Sequence, residues 1–272
     1  MVSGATLTDN VSGGDFSLAW GEIDTSNLRG RLRERWLRLR NGMADVTAMA
    51  KGMRTVPLDA RTVRAHTGLA TVDLSFLRRE QGPPDLARPD FALRSTLHTL
   101  SAVAPAEGGR VVLVTSIDRK PVARFSLKLG RVAHSASAPA IVVDARLRKE
   151  RRPKSCAGLA EHLSTATPLT SLVRSADGNG LAFLTAGDAG LPASSLLSSP
   201  AWRGAIDVFR RRYATSIVAA PSVGADGFAD AARISDAVVL LVDRNVDPAY
   251  LADRTEFVAR SAPRASVLVG LV

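Results

Sequence analysis

Short apolar runs alternate along the chain with longer segments in which apolar residues recur every three or four positions. The runs are rich in Val, Ile, Leu and Ala and cover residues 111–114, 140–143, 181–184, 216–219, 237–242 and 266–272. The segments with helical periodicity lie near 122–134, 157–164, 196–212, 226–235 and 248–261. Near-continuous apolar runs are typical of strands buried on both faces, as in a parallel sheet covered by helices. The pattern therefore predicts an α/β fold with a mostly parallel central sheet, flanked by helices on both faces.

The pattern is weaker before residue 91. Residues 1–23 are rich in Gly, Ser, Thr and Asp, which is typical of a flexible leader. Residues 24–90 predict a basic helical extension and then a linker, which contains four prolines and a short helix near 59–66. A further helix is expected at 91–100, where the α/β domain would begin. We therefore divide the chain into 1–23, 24–90 and 91–272, and the last part is P-loop NTPase-like in the order of its elements.

Six arginines interleave with the apolar face of the helix predicted after Ser26. They are Arg29, Arg31, Arg33, Arg35, Arg38 and Arg40. The simplest interpretation is an amphipathic helix that docks on the main domain with its arginines in solvent. A second interpretation is a helix that binds an anionic membrane surface or an acidic partner. Binding to nucleic acid is a third interpretation, which the sequence does not favour because no recognisable reading motif accompanies the arginines.

Composition narrows the classes of function. The net charge of +10 suits nucleic acid, anionic lipid or an acidic partner. A single cysteine excludes an internal disulfide and a multi-cysteine zinc site, and the four histidines lack metal-ligand spacing, so no metal is predicted. The N-terminus lacks the pattern of a signal peptide, and no apolar run approaches the roughly 20 residues of a membrane span. These features predict a cytoplasmic protein, with peripheral attachment to the inner face of the plasma membrane as an open alternative.

Residues 110–148 have the order strand, loop, helix, strand, in which P-loop proteins hold a nucleotide phosphate on loop amides and a helix N-terminus. The residues that would close such a loop around a phosphate are absent. No glycine lies between Ser116 and Gly130, and Pro121 removes one amide donor. The order of elements therefore indicates a nucleotide-binding fold, whereas the loop between the first strand and the helix does not.

From about residue 85 onward the chain resembles the cytoplasmic domain of bacterial tyrosine kinases, the BY-kinase or capsular exopolysaccharide family of deviant P-loop ATPases. The resemblance rests on an apolar strand that ends in Thr115-Ser116, and on a second strand closed by Asp144 with Arg148 following. Further similar segments are Gly158-Leu159, 184–187, 196–200 and 235–242. The resemblance implies that Ser116, Lys120, Asp144 and Arg148 stand at or beside nucleotide-binding positions, as relics of a site.

This chain departs from the family at the residues that carry the chemistry. The family has a Gly-rich loop ending in Gly-Lys-Ser/Thr, and here Val122 or Ala123 stands at the phosphate-binding lysine. Arg146 replaces the second Asp of the family's Asp-x-Asp motif, and Ala219 replaces the carboxylate that holds Mg²⁺ through water. With Arg146 and Arg148 nearby, we expect Asp144 to form a structural ion pair.

The resemblance and its departures together predict a non-catalytic scaffold or regulator in exopolysaccharide synthesis and export, without a cofactor. Its expected partner is a membrane polysaccharide-export or chain-length component, or an active BY-kinase, and self-association stays open. One alternative is a divergent ATP- and Mg²⁺-dependent kinase or switch that uses Lys120, Asp144 and Arg148. Another is a partitioning-type protein that binds a membrane surface or nucleic acid through Arg29 to Arg40.

Overall fold

The structure is a computed structural model that describes residues 58–74, 87–103, 108–117, 122–135, 138–147, 157–176, 180–188 and 190–272. Its helices are α1 Ala60–Thr67, α2 Ala87–Val103, α3 Val122–Ser135, α4 Leu159–Thr165, α5 Leu169–Leu172, α6 Ala193–Leu197, α7 Pro200–Arg212, α8 Phe228–Ala232 and α9 Pro248–Ser261. Its strands are β1 Ala70–Asp73, β2 Arg110–Ser116, β3 Ala140–Asp144, β4 Arg174–Ser175, β5 Ala182–Leu184, β6 Thr215–Ala219, β7 Ala237–Val242 and β8 Ser266–Leu271.

The strands form one sheet in the order β1-β8-β7-β2-β6-β3-β5-β4. Neighbouring strands are parallel, except that the two-residue strand β4 runs antiparallel to β5 at one edge. Each apolar run of the sequence coincides with a strand, so the predicted P-loop NTPase-like α/β fold is confirmed. Strand β2 is central, because β6 inserts between β2 and β3 while β7 lies on its other side.

A hydrophobic cluster covers each face of the sheet. On one face Trp202 and Phe209 of α7 pack with the β2 residues Val111 and Leu113. On the other face Phe125 and other α3 residues pack with the alternate β2 side chains. Each large side chain buried in this way contributes about 1.5–3 kcal/mol. The clusters explain why the parallel strands read as continuous apolar runs: both of their faces are inside the protein.

The sheet begins earlier in the chain than predicted. Strand β1 pairs with β8 from Ala70 to Asp73, and Leu58, Val63 and Leu74 beside it are buried. The start of the α/β unit therefore moves from the predicted residue 91 to before α1. The pattern missed β1 because the strand has four residues and its side chains are exposed or half-buried.

The single helix expected at 196–212 is two helices, α6 and α7. The break falls at Ser199, whose hydroxyl accepts a hydrogen bond from the Trp202 amide at 3.3 Å. Pro200 follows at the first helical position, where its missing amide hydrogen costs nothing. Ser199 is therefore the N-cap of α7.

Several predictions concern residues outside the described ranges. These are the leader 1–23, the arginine-rich helix with Arg29 to Arg40, and the site positions Lys120 and Arg148. They stay predictions. Among the described helices, none is both long enough and apolar enough to cross a membrane.

Candidate functional site

The candidate site lies at the carboxyl edge of the sheet, which we define as the carboxyl ends of β2, β6 and β3. Val114 of β2 and Asp144 of β3 both pair with Ala219, the last residue of β6. Ligands of open parallel sheets bind at this kind of edge, because the strand order reverses there and helix N-termini follow. The fold thus brings Ser116 and Asp144 to one edge, as predicted, with one strand between them.

Asp144 is tied to its neighbour two residues on. The guanidinium of Arg146 donates from Nε to Oδ1 at 2.8 Å and from Nη2 to Oδ2 at 2.7 Å. The Arg146 backbone amide also donates to Oδ1 at 3.3 Å. The Asp144 side chain is 6% exposed and that of Arg146 16%, so the pair is largely removed from water. The predicted structural ion pair is confirmed for Arg146.

This pairing limits what Asp144 can do chemically. A carboxylate offers about four lone-pair positions, and Arg146 alone uses three of them. A bidentate guanidinium also neutralises the charge that would attract Mg²⁺. In this arrangement Asp144 closes the end of β3, and it is poorly placed to serve as a metal ligand or a general base.

The neighbouring strand ends supply backbone contacts. Thr115 is fully buried and its hydroxyl donates to the carbonyl of Pro221 at 2.6 Å. Ser116 is also fully buried, and its carbonyl accepts a hydrogen bond from the Val223 amide at 2.9 Å. Ala219, which is 1% exposed, offers no polar side chain at all. The segment after β6 is therefore fastened to the end of β2, where a ligand would otherwise approach.

The N-terminus of α4 lies at the same edge and its amides already have partners. The Leu159 and Ala160 amides donate to the carbonyls of Thr185 and Ala186 at 2.8 and 2.9 Å. Glu161 accepts from the Gly158 amide at 2.6 Å and from the Asp188 amide at 3.0 Å. These bonds join α4 to the loop after β5. An anion would have to displace protein carbonyls to use this helix end.

A second polar cluster, which the sequence analysis missed, lies at the amino edge, where β2, β6 and β7 begin. Arg210 of α7 donates to both carboxylate oxygens of Asp236, at 2.6 and 2.8 Å. The same guanidinium donates to the carbonyls of Gly109 at 3.2 Å and Ile234 at 3.1 Å. Asp236 also accepts from the Val111 amide at 2.8 Å. The only sequence signal is the arginine-rich end of α7, since these partners are far apart along the chain.

The described residues contain no group of three or more His, Cys, Asp or Glu that could hold a metal ion. Two of the described groups have a pKa clearly moved from its ordinary value. Hydrogen bonds from Thr62 lower the pKa of Asp59, the cap of α1. Burial and then the neighbouring arginines lower the pKa of Lys128 in the middle of α3. Both groups lie away from the carboxyl edge, so neither indicates chemistry there.

The class that the fold defines is the P-loop NTPase-like α/β domain, and its structural neighbours are BY-kinase domains. The kinase domain of the Escherichia coli tyrosine kinase ETK matches with a TM-score of 0.63 at 17% identity, covering 79% of this chain and 95% of that domain. The BceF tyrosine kinase domain gives 0.58 at 20% identity, covering 79% and 90%. The chimeric protein CapA2B2 gives 0.60 at 18% identity, covering 78% and 98%.

At these identities the likeness establishes a shared fold. No family model matches the chain, and no curated protein sequence matches it.

Proposed function

We propose that this protein is a non-catalytic scaffold or regulator with a BY-kinase-like fold, acting in exopolysaccharide synthesis and export. The observation that carries the proposal is the bidentate Asp144–Arg146 pair. The acid at the end of β3 is held by an arginine two residues away, in a position that is 4% exposed. The residue that would help to bind a metal is thus part of the structural core.

The rest of the carboxyl edge supports the same proposal. Transfer of a phosphoryl group depends on a metal ion and on positive groups that cradle the γ-phosphate, and this electrostatic stabilisation usually supplies the largest part of catalysis. Ala219 provides no carboxylate at the end of β6, and Ser116 has no exposed surface. The loop that follows Ser116 contains no glycine.

The proposed pathway and partners follow from the fold and the sequence resemblance. Protein-tyrosine kinase domains share this fold, as their solved structures show. A protein that keeps such a fold without a working site can still bind the same partners, since binding and catalysis use different parts of a surface. The partner we propose is a membrane polysaccharide-export or chain-length component, or an active BY-kinase.

Calorimetric titration of the full chain with ATP and Mg²⁺ tests the proposal. We expect no micromolar affinity that depends on the loop after β2. The matched variant is Lys120→Ala, which removes the one lysine in the segment between β2 and α3. Micromolar binding in the unmodified protein that Lys120→Ala abolishes would overturn the proposal and favour the divergent ATP-dependent switch.

Genetic complementation provides a second test. Loss of the gene is expected to lower exopolysaccharide output, and the Lys120→Ala protein is expected to restore it fully, because a scaffold needs no nucleotide chemistry. Failure of Lys120→Ala to complement, at a normal protein level, would contradict a non-catalytic role.

A further inference from the structure

The amino edge of the sheet, at the opposite end of the strands from Asp144, contains a charged cavity of about 350 Å³. Its wall is made by one side of α7 from Arg203 to Arg210, the connection from α8 to β7 and the connection from α9 to β8. The charged side chains that line it are Arg203, Asp207, Arg210, Arg233, Asp236 and Arg264. Four arginines and two aspartates leave a net charge of +2 around one concave surface.

One arginine and one aspartate of this set, Arg210 and Asp236, pair with each other. The Arg210 guanidinium uses both terminal nitrogens on Asp236 and on two backbone carbonyls. These bonds tie α7 to the start of β2 and to the residue before β7. Arg210 is therefore a structural group that holds the cavity in shape, and its charge is compensated by Asp236.

The three remaining arginines, Arg203, Arg233 and Arg264, are in a different situation. All three are exposed, and within the described ranges none of their side chains forms a hydrogen bond or an ion pair with a protein group. They come from three separate elements and converge on one cavity. These three positive charges outnumber the one other carboxylate that lines the cavity, Asp207, so an anion that enters the cavity relieves the remaining repulsion.

We propose that this cavity is a binding site for a compact multivalent oxyanion, with the diphosphate group of a small molecule as its ligand. Guanidinium groups present paired N–H donors that match phosphoryl and carboxylate oxygens. Three such groups from different directions fit a ligand with several oxygens, and the net charge of +2 matches a dianion or trianion. A concave site of this volume lies near the lower limit of small-molecule pockets and suits a compact group better than a flat membrane surface.

Asp207 provides an internal test of this assignment. It lies on α7 one turn after Arg203, lines the same cavity and is exposed. Its negative charge opposes an anionic ligand. Asp207→Asn should therefore tighten binding, whereas neutralising an arginine of the cavity should weaken it.

The experiment is calorimetric titration of the full chain with inorganic pyrophosphate, at constant ionic strength and with a chelator to exclude metal bridging. We expect Arg233→Gln and Arg264→Gln each to weaken binding about tenfold, and Asp207→Asn to tighten it about threefold. The control is Arg211→Gln, an exposed arginine of the same helix that does not line the cavity, with an expected change of less than about twofold.

Three outcomes would overturn the proposal. The first is no pyrophosphate binding at millimolar concentration in the unmodified protein. The second is an equal loss in Arg211→Gln and Arg233→Gln, which would indicate general attraction to a basic protein. The third is a preference for citrate, or for vesicles that contain phosphatidylglycerol, with pyrophosphate unable to compete. Thermal unfolding of each variant checks that the fold is intact, because ligand-dependent stabilisation should follow the same order.

The anion site at the amino edge and the proposed function can be tested independently of each other. Nucleotide binding at the carboxyl edge would depend on Lys120, whereas anion binding at the amino edge would depend on Arg233 and Arg264. Titrating ATP into Lys120→Ala and Arg233→Gln therefore assigns any binding of its phosphates to one edge or the other.

Discussion

The two edges of the sheet use the same pair of residue types with opposite results. At the carboxyl edge Arg146 pairs with Asp144, the only carboxylate among the described residues at the ends of β2, β3 and β6, and the pair is largely buried. At the amino edge Asp236 forms an ion pair with Arg210, one of four arginines, and the other three remain exposed around a cavity. Both edges belong to one fold, so the proposed attraction of an anion to the amino edge rests on its balance of charges.

The ion pairs at the two edges differ in burial, and this difference predicts how much stability is lost when either pair is broken. The side chains of the Asp144–Arg146 pair are 6% and 16% exposed, whereas those of Asp236 and Arg210 are 27% and 31% exposed. A buried charge that loses its partner cannot be rehydrated, so it costs far more than a half-exposed one. The carboxyl edge should therefore be the more sensitive to loss of an arginine.

The largest expected effect is that of Arg146→Ala, which leaves the Asp144 carboxylate buried without its main partner. We expect a loss of about 3–4 kcal/mol in the free energy of unfolding, measured by urea denaturation. The amino-edge counterpart Arg210→Ala should cost about 2 kcal/mol, because water can reach Asp236.

A double variant separates the buried charge from lost packing. Asp144→Ala added to Arg146→Ala should recover part of the lost stability, since it removes the buried carboxylate that has lost Arg146. The comparison fails if Arg210→Ala is the more destabilising single change, or if the double variant is less stable than Arg146→Ala.

The second prediction concerns a glycine that the amino edge requires. A Cβ on Gly109 would overlap the carbonyl oxygens of Arg210 and Tyr213, which belong to the backbone at the end of α7 and cannot swing aside. We expect Gly109→Ala to cost about 2–3 kcal/mol in the free energy of unfolding, as overpacking does elsewhere. It should also weaken pyrophosphate binding, because α7 carries part of the cavity wall.

Gly204 is the matched control, since it lies inside α7 and a Cβ there would meet no atom of the described chain within 4 Å. Gly204→Ala should stabilise the protein by about 0.5–1 kcal/mol, because alanine favours a helix interior. Equal effects of the two substitutions would show that α7 does not pack tightly against the start of β2.

The sequence predicted the features that depend on neighbouring residues. The parallel strands were evident because burial on both faces makes each a continuous apolar run. The Asp144–Arg146 pair was expected because the two residues are two positions apart at the end of such a run. Strand β1 was missed because edge exposure removes the apolar pattern on which the prediction depends.

The amino-edge cavity was not predictable in the same way. Arg203, Arg233 and Arg264 are about 30 residues apart along the chain; Arg203 lies in α7, and the other two lie in two different connections. Their convergence depends on the order of β2, β6, β7 and β8 in the sheet, which composition and periodicity do not determine. In the sequence these arginines are scattered, and only the topology shows that they meet at one cavity.

The smallest effect concerns helix α3, which crosses one face of the sheet between the end of β2 and the start of β3. Burial, and then the nearby Arg124 and Arg131, lower the pKa of Lys128 below its ordinary value of 10.5. The charged lysine is thus disfavoured in the folded protein. Because the group is partly exposed, we expect Lys128→Gln to raise the free energy of unfolding by only a few tenths of a kcal/mol at pH 7.

The sign of the pH dependence tests whether the desolvated charge of Lys128 causes the stability change expected for Lys128→Gln. Between the lowered folded pKa and 10.5 the unfolded chain binds more protons, so the stability contributed by Lys128 rises with pH across that window. The difference between Lys128→Gln and the unmodified protein should therefore disappear above about pH 10.5, at the pKa of an ordinary lysine. Arg211→Gln is the control, because arginine stays charged throughout and Arg211 is not one of the arginines that lower the pKa of Lys128, so its effect should not change with pH. A gain that persists unchanged at pH 11 would mean that packing, and not the desolvated charge, sets the effect of Lys128.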